Sequence, residues 1–163
     1  MGKIGQKALV RAIKKMKGMD LVQAEQVMDE IHSEQPKLLA SVLVQQNMGN
    51  TLEQIEVLLN ILIVTHLALK YSGVKIRTIT EADQEKQLSR YVGHLKFAEG
   101  LGEKSKSEAM KQYSDQCSEK LLMAYVTNEM VSAGFTKLTN ESGKYLVMTG
   151  INIVNCIAHA TRA

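Results

Sequence analysis

Residues 57–69 read VLLNILIVTHLAL, thirteen positions interrupted only by Asn60 and the pair Thr65-His66, and flanked by Glu56 and Lys70. A membrane helix needs about 18–20 apolar residues, so the run is too short to span a bilayer and predicts a helix buried in the middle of a protein core. On a helical wheel of 100° per residue, Asn60 continues a stripe begun by Glu53 and Glu56. His66 falls nearly opposite, among Leu52, Ile55, Leu59 and Leu62, with no carboxylate or second histidine three or four positions away. A histidine on an apolar face is a neutral core residue, a metal ligand or a base, and any metal site would have to draw ligands from other helices.

Around that run the punctuation is helical. Gly18 stops a basic first helix over about 4–17, Asp20 caps a second, Pro36 opens a third, and Asn50-Thr51-Leu52-Glu53 reads as a capping box for the helix over about 51–71. Thr80-Glu81-Ala82-Asp83 caps a fifth helix, and Gly100-Leu101-Gly102 breaks it, placing a hinge at 99–103. From about 104 to 133, in one long helix or two joined end to end, Met110, Tyr113, Cys117, Leu121, Ala124, Asn128 and Val131 recur at spacings of three and four, the pattern of a coiled-coil seam. Ser142 is placed to cap a last helix. Val74 to Ile79 alternates weakly, too short to argue for a sheet. With five tyrosines, two phenylalanines and no tryptophan against nine methionines, the composition favours helices over strands. The expected fold is all-α: one domain over 1–163, a bundle of six or seven helices around a central buried helix at about 51–71.

Charge is unevenly placed. Residues 1–19 hold Lys3, Lys7, Arg11, Lys14, Lys15 and Lys17 without an acid, whereas the second helix carries Asp20, Glu25, Asp29, Glu30 and Glu34. The expectation is an antiparallel hairpin of complementary charge. If the basic face is instead free, Lys3, Lys7, Arg11, Lys14 and Lys15 are candidate contacts to nucleic-acid phosphates or another anionic partner. Scarce aromatics and the lack of a clear helix-turn-helix signature weigh against specific base reading.

The last helix holds no charged residue between Tyr145 and Thr161, yet Asn152, Asn155 and His159 form one stripe opposite Leu146, Ile153, Val154 and Ile157. Covered carboxamides must be paired, so the stripe is either a wet surface or a polar interface against another helix or subunit. Cys156 and His159, one turn apart, are with His66 the weak candidates for a metal or thiol site. No phosphate loop, dinucleotide fingerprint, HExxH or GxSxG motif occurs. The chain therefore reads as a non-enzymatic helical interaction or regulatory protein, without a cofactor, that forms a homo-oligomer or binds a helical partner. The other two readings are a nucleic-acid-binding accessory protein and a metal- or thiol-dependent helical enzyme. Two cysteines and the lack of an apolar leader near Met1 lead to the expectation of a reduced, cytoplasmic protein with no transmembrane segment.

Overall fold

Helix boundaries follow capping chemistry, in a computed structural model that describes residues 2–162, with the side chains of Lys106, Ser107 and Met110 outside the described set. Helix α1 spans Gln6–Lys17, α2 Leu21–Glu34, α3 Pro36–Leu43 and α4 Leu52–Tyr71. Helix α5 spans Glu81–Glu99, α6 Glu103–Asp115, α7 Lys120–Ser132 and α8 Glu141–Arg162, with 3₁₀ turns at Val44–Gln46 and Phe135–Lys137. Among the described residues there is no strand. Reciprocal capping boxes open three helices: Asp20 with Gln23, Thr51 with Gln54, and Thr80 with Asp83.

Two expected caps sit elsewhere. The box of α4 is one residue later than Asn50-Glu53, because Asn50 is buried and donates its Nδ2 to Gln45 Oε1 at 3.1 Å. At α8 it is Asn140 Oδ1, not Ser142, that accepts from a free backbone N–H, that of Gly143, at 2.9 Å. Ser142 Oγ instead donates to Met48 O at 2.7 Å, tying the start of α8 to the turn before α4.

Helix α4 is the hub. Helices α1, α2, α3, α7 and α8 all pack against it, and every residue from Ile61 to Leu69 except His66 is buried. Its one buried hydroxyl, Thr65 Oγ1, donates to Ile61 O at 2.7 Å, so no polar group is stranded there. Each Leu or Ile of this run contributes about 1.5–3 kcal/mol of transfer free energy. At twenty residues α4 is long and apolar enough to cross a membrane by length and composition, so shortness is no argument against a span. Its packing is the better one, since five other helices cover it.

The 104–133 segment is two helices, giving eight α-helices among the described residues, one or two more than expected. The chain leaves helical geometry between Gln116 and Glu119, which resets the angular phase. Tyr113 and Cys117 are buried as expected, but Leu121, Ala124, Asn128 and Val131 lie on the exposed side of α7. Leu122, Met123, Val126 and Met130 form its core face instead. A seam computed across a break cannot keep register. The Met110 side chain lies outside the described residues.

Between α4 and α5, after a turn at Gly73 with positive φ, residues 74–80 are in neither helix nor strand. The side chain of Gln35 stands in for a neighbouring strand: its Nε2 donates to Arg77 O at 3.0 Å and its Oε1 accepts from Ile79 N–H at 2.8 Å. This seats Ile79 in the core at 1% exposure. Helices α5 and α6 then form a hairpin across Gly100–Gly102, packed on α8 through α5. Close approach also demands small residues: a Cβ at Gly143 would lie 2.3 Å from Leu138 Cβ.

Candidate functional site

Helix α1 is amphipathic, with Val10 the one large apolar side chain on its exposed side. Leu9 and Ala12 are buried, and Ile13 and Met16 pack at the core edge. Their principal partner is α4, with α7 behind. Lys3, Lys7, Arg11, Lys14, Lys15 and Lys17 are all exposed, and none forms an ion pair among the described residues.

The expected charge-complementary hairpin with α2 does not form. Helix α2 packs on α3 and α4 rather than on α1, since each of the two helices buries its own apolar stripe against α4. Its acid Glu30 is used at His66 and Lys70, 2.7 and 3.6 Å away. Arg11 lies over the Tyr71 ring, 3.9 Å from its centroid, an arrangement that orients the guanidinium while leaving its edge open. Along an α-helix, cations four residues apart are separated by about 6 Å of axial rise.

The segment leading into α1 is anchored by a residue that sequence patterning passes over. Glu119, 2% exposed, accepts from Lys3 N–H at 2.6 Å and from Ile4 N–H at 3.2 Å. It also receives the Thr161 hydroxyl at 3.4 Å. An acid between Ser118 and Lys120 looks like ordinary surface; only the helix break beside it hints otherwise.

His66 is partnered after all, across helices rather than along its own. Its Nε2 donates to Glu30 Oε2 at 2.7 Å, and Nδ1 lies 3.6 Å from Glu34. The hydrogen bond from His66 is the main influence holding the Glu30 carboxyl below its ordinary range, with Lys70 adding to it and partial burial opposing.

The polar stripe of α8 faces α5 and α6 of the same chain. Asn155 Nδ2 donates to Tyr113 Oη at 2.7 Å, and Asn152 Nδ2 donates to Gln84 O at 3.1 Å. His159 lines a narrow cleft with Gln87, Arg90 and Gln116. The Tyr113 ring stands 4.5 Å from that of His94 and 5.6 Å from that of Tyr91. Burial raises the pKa of both tyrosines, and for Tyr113 the Arg90 charge works against it.

Cys156, one turn from His159, does not share that cleft; it is 2% exposed and burial pushes its thiol up to about 12. No three His, Cys, Asp or Glu side chains gather in a metal-binding arrangement among the described residues. Thus His66, Cys156 and His159 are not brought to a common centre.

A groove of about 360 Å³ opens between α3 with its 3₁₀ turn, the first turns of α5 and the middle of α8. Leu38, Val44, Met48, Leu88, Tyr145 and Met148 supply its apolar wall. Gln45 is fully engaged beneath it, donating to Thr149 Oγ1 at 3.0 Å while accepting from Asn50. Two amide atoms of residues that line it, Gln84 Nε2 and Asn152 Oδ1, are closed off from solvent and have no hydrogen-bond partner among the described residues. No single segment announces this groove, because it is assembled from three. No protein-family model matches the sequence, and no curated protein or solved structure matches it.

Proposed function

We propose that the chain is a non-enzymatic helical interaction protein whose partner-binding surface is the exposed face of α1, and that the partner is a nucleic acid held by its phosphates. The observation that carries this reading is the row of cations Lys3, Lys7, Arg11, Lys14 and Lys15, all exposed and without ion pairs among the described residues. Excess cation on one helix face is a favourable counterion-release surface. The apolar side of α1 is committed to α4, which removes the wedge that an interfacial membrane helix would insert.

Removing residues 1–18 would delete Ile4, Leu9 and Ala12 from the core, so charge substitution is the cleaner test. Binding of a fluorescent 20-base-pair duplex is measured by anisotropy between 50 and 200 mM salt. Five neutralised phosphates correspond to a slope of log K against log salt of about −4.5. Combined Lys7→Gln, Lys14→Gln and Lys15→Gln lowers the slope by about three with the melting temperature unchanged. Salt-independent binding, or binding unaffected by the triple substitution, refutes the reading.

Self-association is the second reading. It is favoured by Leu43, Val44, Met48 and Leu52, which lie within ten residues of chain and are 41–69% exposed. Helix α4, with its long apolar run, and helix α8, uncharged from Tyr145 to Thr161, already find their partners inside the chain. Light scattering at 200 μM reads this directly: a dimer mass that reverts to monomer in Leu43→Lys/Leu52→Lys supports it, and a monomer of the unsubstituted chain overturns it.

A further inference from the structure

Arg90, His159 and Arg162 line one narrow cleft where α5, the end of α6 and the last turns of α8 meet. No acid lines it, and none of the three forms an ion pair among the described residues. Glu119, two residues from Cys117 at the cleft, is taken up by the Lys3 and Ile4 amides and the Thr161 hydroxyl. Arg90, Tyr113 and Gln116 also line the adjoining space, an open hollow of about 400 Å³ between α5 and α6. We infer that cleft and hollow together bind a small aromatic carboxylate, its anionic end held at the two arginines and its ring lodged in the hollow.

Charge sets the first half of the ligand. A cleft lined by one sign of charge concentrates counter-ions, and the planar fork of an arginine matches the two oxygens of a carboxylate. The cleft encloses only about 20 Å³, little more than one water needs, which suits the flat edge of a carboxylate better than a tetrahedral phosphate. Aromatic surface sets the second half. His94, Phe97 and Tyr113 wall the hollow. The Tyr113 ring stands 4.5 Å from that of His94, and Asn155 Nδ2 donates to its hydroxyl at 2.7 Å, which fixes it in place. The Arg90 guanidinium lies 5.7 Å from the centroid of the same ring, so the cation stands where hollow and cleft join. Phe97 is 66% exposed and gives an aryl group surface to cover. Gly93 in α5 points the same way. Glycine is among the poorest residues inside a helix, and packing does not demand it at this position, since a Cβ there would meet nothing within 4 Å. The space it leaves open belongs to the hollow.

The site is tested on the full chain by amide chemical-shift perturbation in ¹⁵N-labelled protein. The probes are 3-phenylpropanoate, its neutral amide 3-phenylpropanamide, propanoate and inorganic phosphate. The expected result is saturable perturbation centred on α5, α6 and the last turns of α8, with 3-phenylpropanoate binding about tenfold tighter than each of the others. The double substitution Arg90→Gln/Arg162→Gln breaks no ion pair seen in the fold; it is expected to keep the melting temperature and to remove the preference for the acid over its amide. Gly93→Leu fills the hollow from a position with open space around it. It is expected to keep or raise the melting temperature while 3-phenylpropanoate falls to the affinity of propanoate. Equal affinity for acid and amide, equal or tighter binding of phosphate or propanoate, or undiminished binding in Gly93→Leu overturns the assignment. So does perturbation strongest at α1, which would mean a general attraction of anions to its lysines.

Discussion

Replacing Glu119 tests whether the buried carboxylate holds the segment that leads into the basic helix. Glu119→Ala removes the acceptor of Lys3 N–H at 2.6 Å and of Ile4 N–H at 3.2 Å. The second of these lies in the interior, with Ile4 itself 2% exposed, so its N–H is left without water or partner. A hydrogen bond to a charged group contributes about 1.5–3 kcal/mol, and a stranded buried donor costs about 1–3 kcal/mol. Against this stands relief from burying a carboxylate at 2% exposure, which offsets part of the loss because a buried charge carries a desolvation cost of its own. The net expectation is destabilisation by about 3 kcal/mol, a large share of the roughly 5–15 kcal/mol that holds an ordinary domain. For a chain of this size that lowers the melting temperature by about 6–12 °C.

Glu119→Gln keeps shape and one acceptor but turns an amide NH₂ toward a backbone donor, so it falls between wild type and alanine. Exposed Glu99 is the control, with Glu99→Ala expected within about 0.5 kcal/mol. Urea unfolding followed by circular dichroism supplies the free energies, and amide exchange at Lys3 and Ile4 supplies the locality. If Glu119→Ala and Glu99→Ala unfold at the same urea concentration, the carboxylate does not anchor the N-terminal segment and the reasoning fails.

Other perturbations separate packing from charge. Tyr125 Oη is buried without a partner, so Tyr125→Phe is expected to leave stability unchanged or raise it by up to about 1 kcal/mol; a loss above that in urea titration would mean that the hydroxyl is satisfied. Gly143→Ala places a methyl against Leu138 Cβ, an unyielding neighbour, and is expected to cost about 1–3 kcal/mol, read from the thermal midpoint. Cys117 and Cys156 are both buried and burial raises both thiols; Ellman's reagent at pH 8 is expected to report no fast thiol in folded protein and two in 6 M guanidinium. Asp83 is held far below the ordinary carboxylate range, first by Arg77 and then by the Thr80 backbone N–H. Because its folded pKa is depressed, its contribution is complete above about pH 4–5 and disappears as the pH falls through the folded value. Asp83→Asn should therefore narrow the stability gap to wild type on acidification and leave the profile above pH 6 parallel.

Local chemistry was legible where a residue acts on its own neighbours in sequence. Asp20, Thr80 and Pro36 open helices where their side chains dictate, and the run from Val57 to Leu69 is the core it reads as. Wheel arithmetic failed where one seam was carried across a break that glycine or proline does not mark. Once the chain leaves helical geometry after Asp115, Leu121 and Val131 turn outward and Leu122 and Val126 turn in. Partner choice between helices was not legible either. His66 has no local acid, yet α2 delivers Glu30 to it; the basic α1 and acidic α2, close in sequence, each prefer α4 to one another. Of the candidate sites, the cations of α1 could be listed from composition, whereas their lack of ion pairs could not. Gln84 and Asn152 are 68 residues apart and come together only through the packing of α5 on α8.

The hub position of α4 also sets an order of events during synthesis. Helices α7 and α8, which cover part of it, end 61 and 91 residues after α4 itself. At ribosomal speeds of about 5–20 residues per second, the most apolar helix of the chain waits roughly 5–20 s before its last neighbours emerge. For that interval a segment long and apolar enough by composition to cross a membrane lacks two of the five helices that cover it. Until α7 and α8 arrive, its uncovered side is apolar surface of the kind that makes unfinished chains prone to aggregate.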